Sequence, residues 1–194
     1  MSISENYARI RKEIPSSVRI VAAAKGRSLQ EIEEVIDAGA TDIGENYIQE
    51  AVLHFNGLGA RAGRVKWHLI GKLQSNKIRK SLGIFDVIQT VDSIELAEEI
   101  DRIAGLLKKI VSVYIEVNIS KEKQKSGIMP EETADFAEKI SNFKNLKLKG
   151  LMAMGSQNRD VNRQFLEMRK IFECIKSLNI MGDAAVLSMG MSDS

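Results

Sequence analysis

From Arg19 to the end of the chain, short apolar runs and amphipathic helical stretches follow one another in strict alternation, and few architectures tolerate that rhythm. Arg19 to Ala24 (RIVAAA), after Pro15 and two serines, reads as a buried strand. Ser28 and Glu31 form a capping box opening a helix with Leu29, Ile32 and Ile36 inward, stopped at Gly39. A short strand at Asp42-Ile43 precedes a helix carrying Ile48, Ala51, Val52 and Phe55. Lys66 to Ile70 reads as a strand, Ser75 to Lys80 as a short helix and Phe85 to Gln89 as the fourth strand. Asp92 and Glu95 read as a second capping box, opening a helix through Leu107. Ile110 to Val117 is the clearest strand, rich in β-branched residues. A helix begins at Pro130, a strand lies within 146–154, a long helix carries Phe165, Met168, Phe172 and Ile175, and Ala185 to Leu187 starts a last strand.

This gives about seven β/α pairs behind one extra N-terminal helix, in a single domain over residues 1–194. Such alternation implies parallel strands joined by right-handed helical crossovers. An open doubly wound sheet and a (β/α)8 (TIM) barrel both fit. No G-x-G-x-x-G follows the first strand, and the strands are short, apolar and evenly spaced, which favours the barrel. At 194 residues, against about 250 for a usual barrel, the chain is expected to lack the last strand and helix.

Charge narrows the function. Lys plus Arg is 28 against 26 for Asp plus Glu, a net charge of +2, which argues against nucleic-acid coating or a basic membrane surface. One cysteine (Cys174) and two histidines (His54 and His68) leave no cysteine cluster and no multi-histidine metal site. No run is long and apolar enough to span a bilayer, and the N-terminus has no secretory pattern, so the expectation is a cytoplasmic protein. The span Arg61 to Lys80 holds seven basic residues and no acidic one. It reads as a solvated face balanced by the acid-rich span Glu31 to Glu45, because Trp67 alone offers a base-stacking ring.

In a barrel, working residues gather past the C-terminal strand ends. Lys25 directly follows Val21-Ala22-Ala23-Ala24. An ammonium at the mouth of an apolar strand loses solvation, which lowers its pKa, and a neutral amine attacks an aldehyde. Elsewhere, a lysine in this place more often just marks a strand end and points to water. Ser188-Met-Gly-Met-Ser192 is small enough to form a loop whose N–H groups close on an anion, as phosphate loops in barrels do. Together the two suit a phosphorylated aldehyde. His68 is either a core histidine or a pocket residue, the methionines at 152, 154, 189 and 191 read as packing, and Cys174 as inert core.

Five strings stand in order: Gly44-Glu45-Asn46-Tyr47-Ile48-Gln49-Glu50; Trp67-His68-Leu69-Ile70-Gly71-Lys72-Leu73-Gln74-Ser75-Asn76-Lys77; Val117-Asn118-Ile119-Ser120 with Lys125-Ser126-Gly127-Ile128; Gly150-Leu151-Met152-Ala153-Met154; and Leu187-Ser188-Met189-Gly190-Met191-Ser192-Asp193. In them the chain resembles the pyridoxal phosphate homeostasis proteins, the YggS/PROSC family, from about Arg19 to its end. The resemblance implies a barrel like the N-terminal domain of alanine racemase, with pyridoxal 5′-phosphate (PLP) held as a Schiff base on Lys25. It implies phosphate binding by Ser188, Gly190 and Ser192, places Asn46, His68 and Met152 around the cofactor, and matches Lys125 to a loop lysine that helps PLP move on and off. No metal is implied.

Two departures stand out. Ala24 occupies a position where the family commonly has serine. The family also continues past the equivalent of Ser194 through a helix and a strand carrying an arginine, so an open barrel edge through which chains associate is expected where family members are monomeric. The function implied is PLP and amino-acid homeostasis by a carrier or regulator, handing PLP to PLP-dependent apo-enzymes, with no established catalysis. The alternative is a fold-type III enzyme such as an amino-acid racemase. Racemisation needs an acid/base group on each ring face, and neither Tyr7, Tyr47 nor Tyr114 is an obvious partner for Lys25. A Schiff-base aldolase fits less well, since no paired carboxylate adjoins Lys25.

Overall fold

The computed structural model describes residues 2–122, 124–156 and 160–191. The chain divides into two compact units, Met1–Lys72 with Lys80–Val87 and Leu73–Arg79 with Ile88–Ser194. Seven strands occur among the described residues, the number the alternation predicts.

The first unit contains α1 (Ile3–Glu13), β1 (Val21–Ala23), α2 (Leu29–Asp37), β2 (Asp42–Glu45), α3 (Ile48–Leu58) and β3 (Lys66–Leu69). Its strands lie in the order β1-β2-β3, all pairs parallel, with Ala23 opposite Gly44 and Gly44 opposite His68. Both α1 and α2 open with complete capping boxes, on Ser2 with Glu5 and on Ser28 with Glu31. The alternation of side chains along a strand then sorts the residues. Trp67 donates its indole N–H to the Ala62 carbonyl at 3.0 Å and meets the ring of Phe55 on α3 edge-on, so Trp67 and its register partner Ile43 face the helices. Asp42, Gly44 and His68 therefore face the other way. Ile43 and Leu69 are fully buried, each contributing about 1.5–3 kcal/mol. Arg61 pairs with Glu33 and Asp37, and Arg64 with Asp37 at 2.8 Å, so the basic span meets the acid-rich span.

A short helix α4 (Ile78–Ser81) leads to β4 (Val87–Val91). The second unit continues with α5 (Ile94–Leu106), β5 (Val111–Glu116), α6 (Thr133–Ser141), β6 (Leu146–Gly155), α7 (Val161–Ser177) and β7 (Val186–Met191), in the strand order β4-β5-β6-β7. A bulge at Lys149 shifts the register between Val113 and Tyr114. It changes the phase of β6 so that Leu151, Ala153 and Gly155 face α7, where Val161 and Phe165 crowd Gly155.

Several elements depart from the sequence reading. The fourth strand starts at Val87 rather than Phe85, because the Phe85 N–H returns to the Ser81 carbonyl and closes the preceding helix. The cap of α5 is Ser93, whose hydroxyl accepts from the Leu96 N–H, and not Asp92. β1 is half-buried with Ala23 exposed, where a buried strand was expected, while β2 is buried throughout. Cys174 is exposed, since it lies off the face of α7 that buries Met168, Phe172 and Ile175.

Candidate functional site

In the first unit the candidate residues cluster at the ends of β1 and β2. Pairing continues past β1, with the Ala24 N–H donating to the Gly44 carbonyl at 2.8 Å. The Arg27 N–H then bonds back to the Ala24 carbonyl at 3.0 Å, closing a turn over Lys25 and Gly26. Gly26 has φ of 66°, the left-handed region that a residue with a Cβ enters at a cost. Lys25 is half-buried in this turn. Lys25 and Asn46 each stand two residues beyond the Ala23–Gly44 register pair, which gives them equivalent places on neighbouring strands. The side-chain oxygen of Asn46 is buried and has no hydrogen-bond donor. Its backbone is fixed by Gly71, where a Cβ would overlap the Asn46 carbonyl oxygen.

His68 is not past a strand end but inside β3, two residues below the level of Lys25, and is 2% exposed. Its Nε2 lies 2.9 Å from Asp42 Oδ1. Burial acts to raise the Asp42 carboxyl, but the Thr41 hydroxyl at 2.6 Å, the His68 imidazole and the Arg19 guanidinium outweigh it, so the group sits below the usual carboxylate range. Burial lowers the His68 imidazole more than Asp42 raises it. The pair is therefore a carboxylate accepting from a neutral imidazole, which fixes the His68 proton on Nε2.

Glu45, at the end of β2, makes a second such pair on the helix-facing side. Its Oε1 lies 2.7 Å from Nδ1 of His54 on α3, and its Oε2 is buried without a partner. Burial pushes this carboxyl up, His54 opposes, and the nearby Glu50 charge adds to the rise. Asp42, Glu45 and His54 were not singled out by sequence reasoning. The available signal was the placement of two carboxylates three apart within an otherwise apolar strand.

In the second unit, register sets Glu116, Met152 and Ser188 in one row across β5, β6 and β7. Met152 is buried, Ser188 and Glu116 half-buried. Ser188 to Met191 are strand residues, not a loop, because β6 is ten residues long and pairs with β7 as far as Gly155 opposite Met191. The anion nest expected from a loop is thus replaced by the end strand of this order, on which every second residue turns its N–H away from β6. A Cβ at Gly190 would meet nothing closer than the Met154 sulfur at 3.7 Å. Ser192 lies outside the described residues.

The segment after β5 is built around Asn118, whose amide donates to the carbonyls of Glu122 and Lys125 at 2.8 and 3.2 Å. Lys125 Nζ lies 3.0 Å from Glu122 Oε1, an ion pair within its own loop, and Lys125 is the main cause holding the Glu122 carboxyl low. A cavity of about 410 Å³ lies in the first unit among α1, α2 and β1, lined in part by Ala24 and Arg27, which close the Lys25 turn. No helix among the described residues is long and apolar enough to cross a membrane.

The family model for the alanine racemase N-terminal domain matches residues 1–194. The pyridoxal phosphate homeostasis protein of Pasteurella multocida is 35% identical over the whole chain and 88% of its own length. The protein of that name from Escherichia coli is 34% identical over 98% of this chain and 87% of its own. The structure of Synechococcus elongatus PipY with PLP bound superposes with a TM-score of 0.86 at 32% identity, covering 100% of this chain and 91% of that one. Alanine racemase of Clostridium difficile, 12% identical over 97% of this chain and 50% of its own, shares the fold with a TM-score of 0.83. The fold is that of the alanine racemase N-terminal domain, an α/β arrangement of the TIM-barrel type.

Proposed function

We propose that this chain, which belongs to the pyridoxal phosphate homeostasis protein family, binds PLP through Lys25 and serves as a carrier or regulator of that cofactor. The observation that carries the reading is the half-buried Lys25 in a glycine-closed turn at the end of β1, level with a buried Asn46 oxygen that has no donor of its own. The residues at the end of β1 and β2 fit the group: a primary amine for an aldehyde beside a buried amide oxygen in want of a donor.

Bound there, PLP supplies an electrophilic aldehyde carbon. Lys25 contributes the amine from its turn at the end of β1. Ser188 and Gly190, with Ser192, are assigned to the phosphate. Met152 supplies an apolar surface from β6. His68 is assigned to orientation through Asp42 rather than to direct contact, given its burial and its bond. Lys125 is assigned to loading and release, for which it must leave Glu122. The acceptors are apo-enzymes that use PLP, in the cytoplasm, and neither nucleic acid nor membrane enters the reading.

Borohydride treatment of the chain mixed with PLP, followed by peptide mapping, tests this. Label concentrated on Lys25 is expected, together with solvent deuterium exchange at the Cα of amino acids no faster than with free PLP. Label spread over many lysines overturns the binding reading. Fast exchange abolished by Lys25→Ala turns the protein into a racemase-like enzyme.

A further inference from the structure

Deepening the reading of Lys25 as the PLP-holding residue, on which it rests, one buried bond accounts for how the turn around that lysine is held. Glu45 is 0% exposed and ends β2, and its Oε1 is bonded to His54, which is 12% exposed, on α3. Four residues earlier on the same helix, Glu50 accepts the N–H of Gly26 at 3.4 Å. Residues four apart share a helix face, so one face of α3 holds two separate points of the chain, the Glu45 side chain through His54 and the Gly26 N–H through Glu50. One is the strand end directly before Asn46. The other is the residue directly after Lys25.

On its other side the Asn46 backbone lies so close to Gly71 that a Cβ there would overlap its carbonyl oxygen. The charges acting on Glu45 are those of His54 and Glu50, both from α3. The fold alone does not require a polar pair here: apolar side chains of similar size would fill the space between β2 and α3 without leaving a carboxylate oxygen unpartnered. What the pair adds is a fixed distance and direction between helix and strand end.

We infer that the Glu45–His54 bond is a latch that positions the Lys25 turn and Asn46 for PLP, with Glu45 and His54 as positioning residues that do not touch the cofactor. Releasing the latch lets α3 pivot on its apolar contacts and draws Glu50 off Gly26. Lys25 then keeps its amine but loses its place.

The test uses the full chain with His54→Leu, His54→Gln and Glu45→Gln. Two readouts are followed: the rate of borohydride trapping of PLP at Lys25, and amide hydrogen exchange of Gly26 and Asn46 in the protein without added PLP. His54→Leu is expected to slow trapping about tenfold, the low end of the cost of removing a residue that orients a binding group, and to speed exchange at Gly26 and Asn46 while leaving Ile43 unchanged. His54→Gln, which still donates to the carboxylate, is expected to restore both. Glu45→Gln, which preserves the bond, is expected to behave as His54→Gln and supplies a second variant should His54→Leu fail to fold. Unchanged trapping and exchange in His54→Leu, acceleration spread over the whole first unit, or glutamine variants as impaired as leucine would each overturn the latch. If the parent chain shows no trapping at Lys25, the PLP reading falls, and the exchange rates still decide the latch.

Discussion

β2 carries two acid–imidazole pairs, one on each face, and their carboxyls are shifted in opposite directions. Asp42 meets His68 with the Thr41 hydroxyl and the Arg19 guanidinium beside it, so its charge is fully served and stays. Glu45 meets His54 alone, with one oxygen unpartnered and the Glu50 charge nearby, so burial wins and the carboxyl is pushed up. The two pairs share residue types and lie three positions apart on one strand. The balance between burial and the donors around each carboxylate decides which form is stable. The pair turned away from the helices suits a permanent buried charge, and the helix-facing pair suits a carboxyl pushed toward its neutral form.

The sharpest way to break this comparison is to remove one imidazole at a time. His68→Leu strips Asp42 Oδ1 of its imidazole donor and leaves a buried carboxylate short of a donor, which is expected to cost about 3–5 kcal/mol in urea unfolding. A cost equal to that of His54→Leu would show that the two faces are equivalent.

The next effect is on the pH profile of stability. Asp42 and His68 both bind protons more weakly folded than unfolded, so their contribution is present above the ordinary histidine range and is lost as pH falls through it and on into the carboxylate range. Glu45 binds its proton more tightly when folded, so its contribution is present below the ordinary glutamate value and is lost as pH rises above it. Thermal melts across pH are expected to show acid destabilisation that Asp42→Asn flattens, and a loss with rising pH that Glu45→Gln flattens. If both substitutions flatten the same limb, the opposite signs assigned here are wrong.

The smallest effect is that of Glu45→Gln at neutral pH. It removes an awkward charge yet keeps an amide for His54, so stability is expected to change by less than about 1 kcal/mol. Loss of several times that in the same urea series would mean that Glu45 is as fully served as Asp42.

Much of the fold was legible in the residues. The alternation of apolar runs gives seven strands, and the Ser2–Glu5 and Ser28–Glu31 boxes start α1 and α2, Ser28 having been read from sequence. Lys25 stands where its apolar run predicts, just past β1. What the residues misplaced was strand ends. The Ser188–Ser192 string reads as a loop because serine and glycine are turn formers, yet Ser188 to Met191 pair along β6. Cys174 reads as core because it neighbours Ile175, yet a helix turns each successive residue by about 100°, and that carries its thiol outward.

Sequence by itself determined which segments are strand or helix and which amine follows the first strand, because periodicity, capping and β-branching are local properties of adjacent residues. It did not determine that Asp42 finds His68 while Glu45 finds His54. Those partners lie 26 and 9 residues away, and the choice follows from the pleat. Asp42 and Glu45 differ by an odd number of positions, so they must leave β2 on opposite faces, one toward β3 and the other toward α3. Only the packed sheet specifies what waits on each side, and with it which carboxyl keeps its charge.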